Sequence, residues 1–242
     1  MFGGHAEGAL GRVARRLNNQ RLNNQRLDPG GDVRRQALLR ASGVAGMAGP
    51  VAFTAAWATA SLRQRGFSPI EIQISGLSAP GARDRWIMVG GFLTLGGCLA
   101  AFGPALRQGL GGTRRAGPAP WLIQAAGVLV VTAGVLQPDH MLLVHGAGSW
   151  HNQAHDALSA ANYTLLIAIP LLLAQRLHGD PDWKGLPALL VSAAIASAVI
   201  LSVFSATGPA SPEAGTLQRA GVTIPLAALV AFAARMHRLR SP

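Results

Sequence analysis

Six long runs of apolar residues, separated by short polar segments, most constrain how this chain can fold. Each run is close to the roughly 20 residues that a helix needs to cross a bilayer. Only 13% of the residues are charged, whereas soluble domains carry about 25%. The sequence therefore predicts an all-α fold, a six-helix transmembrane bundle, in a multi-pass protein of the cell membrane. The predicted spans cover residues 43–62, 86–106, 121–136, 154–174, 186–206 and 217–234.

The residues that precede the first run form a polar, arginine-rich segment. Within it Arg16-Leu-Asn-Asn-Gln is followed at once by Arg21-Leu-Asn-Asn-Gln. A period of five fits neither a helix nor a heptad, so it gives no continuous apolar stripe. We predict a disordered, basic cytoplasmic tail over residues 1–41 and a six-span transmembrane domain over residues 42–240. The alternative for the tail is a basic helix that lies on anionic headgroups.

The distribution of Lys and Arg predicts the orientation of the bundle. An even number of spans places both termini on one side, and that side holds 16 of the 21 basic residues. The positive-inside rule then places both termini in the cytoplasm and the loops 63–85, 137–153 and 207–218 outside. The net charge of +11 is explained by this asymmetry. We therefore expect membrane lipids as partners, and no nucleic acid.

The outward stretch 137–156 holds four of the seven histidines. His151 and His155 are four residues apart, so they lie one turn apart on one helix face. Two imidazoles so placed can bind one metal ion, and Asp139, which follows the helix-ending Pro138, can complete the site. Zinc is the metal we would expect. A metal-free proton or ligand site, and plain hydrogen bonding at the interface, are the alternatives.

Two further outward segments carry unusual residues. Ile70, Ile72 and Ile74 alternate with polar residues, which predicts an amphipathic extended segment or a re-entrant turn. Either it caps the mouth of the bundle, or it presents Glu71 and Ser75 to a site there. Arg219 opens the sixth span and is either a snorkelling interfacial arginine or an anchor for an anionic ligand.

Five short motifs follow one another along the chain. They are Ile74-Ser-Gly-Leu77, Trp86-Ile-Met-Val-Gly-Gly-Phe92, Gln137-Pro-Asp139, His155-Asp156 and Gln218-Arg219. In their order they resemble motifs of the domain of unknown function 998 family of bacterial and archaeal polytopic membrane proteins, the last of them more loosely. The resemblance covers roughly residues 43–236. It implies the six-helix architecture and transfers no activity.

Three classes of function are open at this point. The first is a metal-dependent intramembrane hydrolase of a lipid-like or amide substrate, in which zinc holds a reactive water. Its predicted metal ligands are Asp139, His151 and His155, its catalytic residues Glu71, Ser75 and Asp156, and its headgroup ligand Arg219. The second is a non-catalytic ion, proton or lipid binding or transport protein. The third is a haem or quinone protein, with His140 or His145 facing His155.

Overall fold

The computed structural model describes residues 29–110, 116–141 and 148–239. The chain divides into two compact units, Met1–Ala41 and Ser42–Pro242. Of the first unit only residues 29–41 are described, and they are helical. The repeat at residues 16–25 lies outside the described residues, so the disordered tail stays a prediction.

The described residues form six α-helices and two short 3₁₀ helices, and they contain no strand. This confirms the all-α prediction and the number of helices. The fourth and sixth helices continue through Pro170 and Pro225, as expected where neighbouring helices compensate for the lost backbone bond. The α-helices are α1 Pro29–Arg63, α2 Arg85–Gly109, α3 Ala119–Val135, α4 Trp150–Leu177, α5 Leu186–Thr207 and α6 Ala214–Arg238, with 3₁₀ turns at Ser75–Ser78 and Pro181–Trp183.

Four of these helices, α2, α4, α5 and α6, are long and apolar enough to cross a membrane. The third helix is equally apolar in character but has 17 residues, about one turn short of a typical span. The first helix is not among the candidates, because its residues are less apolar on average. The chain is therefore a helical membrane protein with at least four candidate spans, rather than six equally clear ones.

Close helix contacts depend on glycines. From α2 to α6, each helix packs on the next along the chain. A Cβ atom at Gly96 of α2 would lie 2.5 Å from the carbonyl oxygen of Gly127 in α3, and one at Gly127 would meet the carbonyl of Gly96 at the same distance. The two backbones therefore touch where both residues lack a side chain, as expected for small residues in a membrane bundle.

The predicted outward loops lie together at one end of the second unit. The backbone N–H of Thr216, at the start of α6, donates to the carbonyl of Ile70 at 3.0 Å. Gly76 lies against the carbonyl of Met141, in the segment between α3 and α4. At the other end, the Arg235 side chain donates to the carbonyl of Asp182 at 3.0 Å. Which end faces the cytoplasm stays a prediction.

Candidate functional site

A polar cavity of about 250 Å³ lies where the 64–84 loop meets helices α4, α5 and α6. The loop contributes buried side chains to it because residues 72–79 fold inward as turns and a 3₁₀ helix. The ends of these three helices that lie nearest the loop supply the other walls. The polar residues around the cavity are Gln73, Ser75, His155, Asp156, Ser159, Tyr163, Ser205 and Gln218.

His155 is the most deeply buried polar group of this cavity, with 1% of its surface exposed. Its Nδ1 lies 2.8 Å from the carbonyl oxygen of Ala133 and 2.9 Å from that of Leu136. Both oxygens can only accept, so Nδ1 carries the proton. In the neutral ring, Nε2 is then an acceptor, and it is buried without a hydrogen-bond partner. The carbonyl groups at the end of α3 thus fix the orientation of the imidazole ring, and the lone pair of Nε2 has no hydrogen-bond donor.

Gln218 of α6 links the buried part of the 64–84 loop, which forms the roof of the cavity, to the wall formed by α4. Its Oε1 accepts a 2.6 Å hydrogen bond from the backbone N–H of Ile74. Its Nε2 donates to the hydroxyl of Tyr163 at 2.9 Å and to Oε1 of Gln73 at 3.4 Å. The N–H of Ile74 requires an acceptor, which determines the orientation of the amide. Because the Tyr163 oxygen accepts from Gln218, its own O–H remains able to donate to a ligand.

A smaller apolar cavity of about 50 Å³ adjoins the polar one. Ser75, Ser159, Tyr163 and Gln218 line both of them. The other walls of the apolar cavity come from α1, α2, α3, α4 and α6, and include Phe53, Phe92, Leu95, Val130, Leu166 and Leu226. Together the two cavities form an amphipathic space, polar near the loops and hydrocarbon-lined toward the centre of the bundle.

Asp139 and His151 belong to a separate structure, the N-terminal cap of α4. Ser149 is the N-cap residue, and its side chain accepts from the N–H of Asn152. Asp139 in turn accepts from the backbone N–H of Ser149 at 2.7 Å and from its hydroxyl at 2.6 Å. His151 Nδ1 lies 3.3 Å from the Asp139 carboxylate. The carboxylate and the capping serine thus satisfy the N–H groups of Ser149 and Asn152 at the start of α4.

This cap predicts an acid-sensitive contribution to stability. Ser149 donates two hydrogen bonds to the carboxylate of Asp139, which holds the pKa of Asp139 below its ordinary value of 3.8. A carboxyl group with a lowered folded-state pKa stabilises the fold above its unfolded pKa, and this is lost as the pH falls through the folded value. The melting temperatures of the wild type and Asp139→Asn should therefore differ by a constant amount from pH 7 to about 5, and should converge below about pH 4.

Thermal unfolding in a non-ionic detergent measures this difference. Glu71→Gln, which removes an exposed carboxylate, is the matched control and should leave the pH profile unchanged. A gap between the wild type and Asp139→Asn that is as large at pH 3 as at pH 7 would contradict the assignment.

The predicted catalytic residues separate into two groups. Ser75 and Asp156 line the polar cavity together with His155, and Asn152 donates to the Asp156 carboxylate at 3.2 Å. Glu71 is exposed, and its backbone N–H bonds to Ser68 at the turn. Ile72 and Ile74 are buried in this turn while Glu71 is exposed, and Glu71 does not line the polar cavity.

The predicted zinc ligands are not brought together. Asp139 and His151 meet in the cap, but the ring of His155 is inserted between α3 and α4 with Nδ1 bonded to two carbonyls. Among residues 29–110, 116–141 and 148–239, no three His, Cys, Asp or Glu side chains form a group that could hold a metal ion. Spacing along a helix gave the face of His155 but not the direction of its ring. For the haem alternative, His140 is exposed and His145 lies outside the described residues.

Arg219 is buried and does not snorkel. Its side chain has 9% of its surface exposed, and its Nη1 donates to the carbonyl oxygens of Pro69 and Ile72 at 2.6 and 2.8 Å. Trp57 and Phe67 flank the guanidinium, with ring centroids 5.4 and 5.3 Å from Cζ. Arg219 therefore anchors the 64–84 loop to α6.

Several residues of the cavity were missed by reasoning from the sequence. Gln73, Ser159 and Ser205 gave no signal, since single polar residues are common in membrane helices and loops. Tyr163 makes an interhelical hydrogen bond with Gln218. Gln218 could have been found from its place beside Arg219 at the start of an apolar run.

Comparison with known families gives one match. The model of a family described as Protein of unknown function (DUF998) matches residues 47–235. That range includes every described residue of the cavity and of the α4 cap. No curated protein and no solved structure matches the sequence.

Proposed function

We propose that this chain, which belongs to the DUF998 family because the family model covers residues 47–235, binds a lipid-like molecule in its amphipathic cavity. The headgroup would occupy the polar cavity and the first carbons of its chain the apolar one. The cell membrane, where we expect the protein to reside, supplies such molecules. This is the second of the functional classes that the sequence leaves open.

The unpaired Nε2 of His155 is the observation that carries the proposal. A buried acceptor without a partner costs roughly 1–3 kcal/mol, and a ligand donor would remove that cost. Tyr163, whose hydroxyl can donate, lines the same cavity. A ligand hydroxyl can donate to one of these groups and accept from the other. The headgroup we expect is therefore small, neutral and hydroxyl-bearing.

The adjoining apolar cavity supports a ligand with a hydrocarbon part. Twelve of its 17 lining residues are aliphatic residues or phenylalanines, so water gains few hydrogen bonds over most of its wall. Burial of each methylene group contributes about 0.8 kcal/mol. A purely polar solute would leave the apolar cavity unfilled, whereas an amphiphile fills both cavities.

Lipid that remains bound through purification tests the proposal. We expect the wild type, extracted in a mild detergent, to retain a hydroxyl-bearing lipid near one per chain, quantified by mass spectrometry. His155→Asn places an amide N–H near the position of Nδ1, which preserves the bonds to α3, and removes the Nε2 acceptor. Retention should fall about tenfold, the effect of about 1.4 kcal/mol.

His151→Asn is the matched control, because His151 is one turn away, half exposed and outside the cavity. It should retain as much lipid as the wild type. Equal retention by the two variants, or a wild-type protein free of lipid that no added lipid stabilises, would refute the proposal.

Hydrolysis of the bound lipid is a second candidate function. Ser75 and Asp156, two of the predicted catalytic residues, line the cavity with His155. A hydroxyl, a carboxylate and an imidazole are groups that serve as nucleophile and general base in hydrolysis. Ser75→Ala separates the two candidates. If the protein hydrolyses the lipid, the wild type releases product, and Ser75→Ala retains the lipid and releases none. If the protein only binds the lipid, neither the wild type nor Ser75→Ala releases product.

A further inference from the structure

The guanidinium of Arg219 has one edge that the protein does not use. Nη1 is occupied by the carbonyls of Pro69 and Ile72. Nε and Nη2 are both buried and have no hydrogen-bond partner. These two nitrogens lie on the same edge of the planar group, where their N–H bonds run parallel. That edge is the one that binds a carboxylate or phosphate through two oxygens.

A third unpaired donor belongs to the same surroundings. Nε1 of Trp57 is buried without an acceptor, and its ring is one of the two that flank the guanidinium. Indole nitrogen can only donate. All three unpaired groups are therefore donors, and the ligand that would satisfy them must be an acceptor.

The charge balance points the same way. The ion pairs among the described residues join Arg63 with Asp84 and His151 with Asp139, and neither includes Arg219. A buried cation without a counter-ion is costly, and charged residues inside a bundle usually have a partner or a ligand. Carbonyl groups and aromatic faces offset part of that cost and leave one full positive charge.

We propose that Arg219 and Trp57 form an oxyanion-binding site, in which Nε and Nη2 of Arg219 bind two oxygens of a phosphate or carboxylate and Nε1 of Trp57 donates to the same group. The site is separate from the lipid cavity, which Arg219 and Trp57 do not line. Its oxygens can come from a lipid phosphate or from a free anion. This inference does not depend on the proposed function.

Titration of the full-length protein in dodecyl maltoside distinguishes the two sources. One arm adds inorganic phosphate at constant ionic strength. The other adds phosphatidylglycerol, with diacylglycerol of the same chains as the lipid without phosphate. Binding is followed by the shift in melting temperature with concentration. Saturation by phosphatidylglycerol alone assigns a lipid phosphate, and saturation by inorganic phosphate assigns a free anion.

Three variants test the residues. Arg219→Lys retains the charge and loses the paired edge, so affinity for the saturating probe should fall about tenfold or more. Trp57→Phe retains the aromatic wall and loses one donor, and should weaken binding about fivefold. Arg65→Lys, at an exposed position of the same loop, should bind as the wild type does. The proposal is overturned if neither probe saturates, or if Arg219→Lys and Trp57→Phe both bind as tightly as Arg65→Lys.

Discussion

Replacement of Gln218 by leucine is expected to lower the free energy of unfolding by about 3 kcal/mol. The change leaves the backbone N–H of Ile74 buried without an acceptor, and it removes the donor to Tyr163 and Gln73. Removing one partner of a buried hydrogen bond costs roughly 1–3 kcal/mol, because the remaining group loses water without compensation. Since leucine fills a similar volume, the loss reports on hydrogen bonding rather than on a cavity.

Thermal unfolding followed by circular dichroism in detergent measures this effect. Gln124→Leu is the control, because Gln124 is also a glutamine of the helical bundle but makes only one long bond, 3.4 Å to the carbonyl of Ala100. It should cost about 1 kcal/mol or less. The loss in free energy of unfolding for Tyr163→Phe should lie between the losses for the two glutamine variants. If Gln218→Leu and Gln124→Leu have the same melting temperature, Gln218 does not hold the 64–84 loop in place.

The helical architecture could be predicted because it depends on long, local patterns. Uninterrupted apolar runs require helices in a bilayer, whatever their tertiary contacts. In α2, Gly91 lies against α1 and Gly96 against α3, whereas a Cβ atom at the neighbouring Gly90 or Gly97 would meet nothing within 4 Å. Adjacent helix positions face different directions, so a glycine pair in the sequence does not tell which of its two members lies at a helix contact.

The site was only partly predictable because it depends on where side chains point. The spacing predicts that His151 and His155 lie one turn apart on α4, but the His155 ring is directed by two carbonyls at the end of α3, 19 and 22 residues away in sequence. The alternation of Ile70 and Ile72 predicted an extended segment or a turn. The structure has the turn, held by Arg219, in which Ile72 is buried and Glu71 is exposed.

Substitution of Gly215 by alanine is expected to detach the 64–84 loop from α6. A Cβ atom there would lie 2.5 Å from the carbonyl oxygen of Ile72 and 2.6 Å from that of Pro69. Both obstacles are backbone atoms, so neither can turn aside as a side chain would. Overpacking of this kind costs about 1–3 kcal/mol. The displaced carbonyls also lose their bonds to Arg219, so we expect a total loss near 3 kcal/mol.

Limited proteolysis distinguishes loss of the loop from general unfolding. Gly215→Ala should be cleaved within residues 64–84 at a temperature where the helices remain intact by circular dichroism, because the loop depends on α6 and the helices pack on one another. Gly81→Ala lies in the same loop, where a Cβ atom would meet nothing within 4 Å, and should resist cleavage as the wild type does. Equal resistance of both variants would mean that the carbonyls of Pro69 and Ile72 can retreat from α6 without freeing the loop. The roof of the cavity would then depend on Gln218 rather than on Arg219.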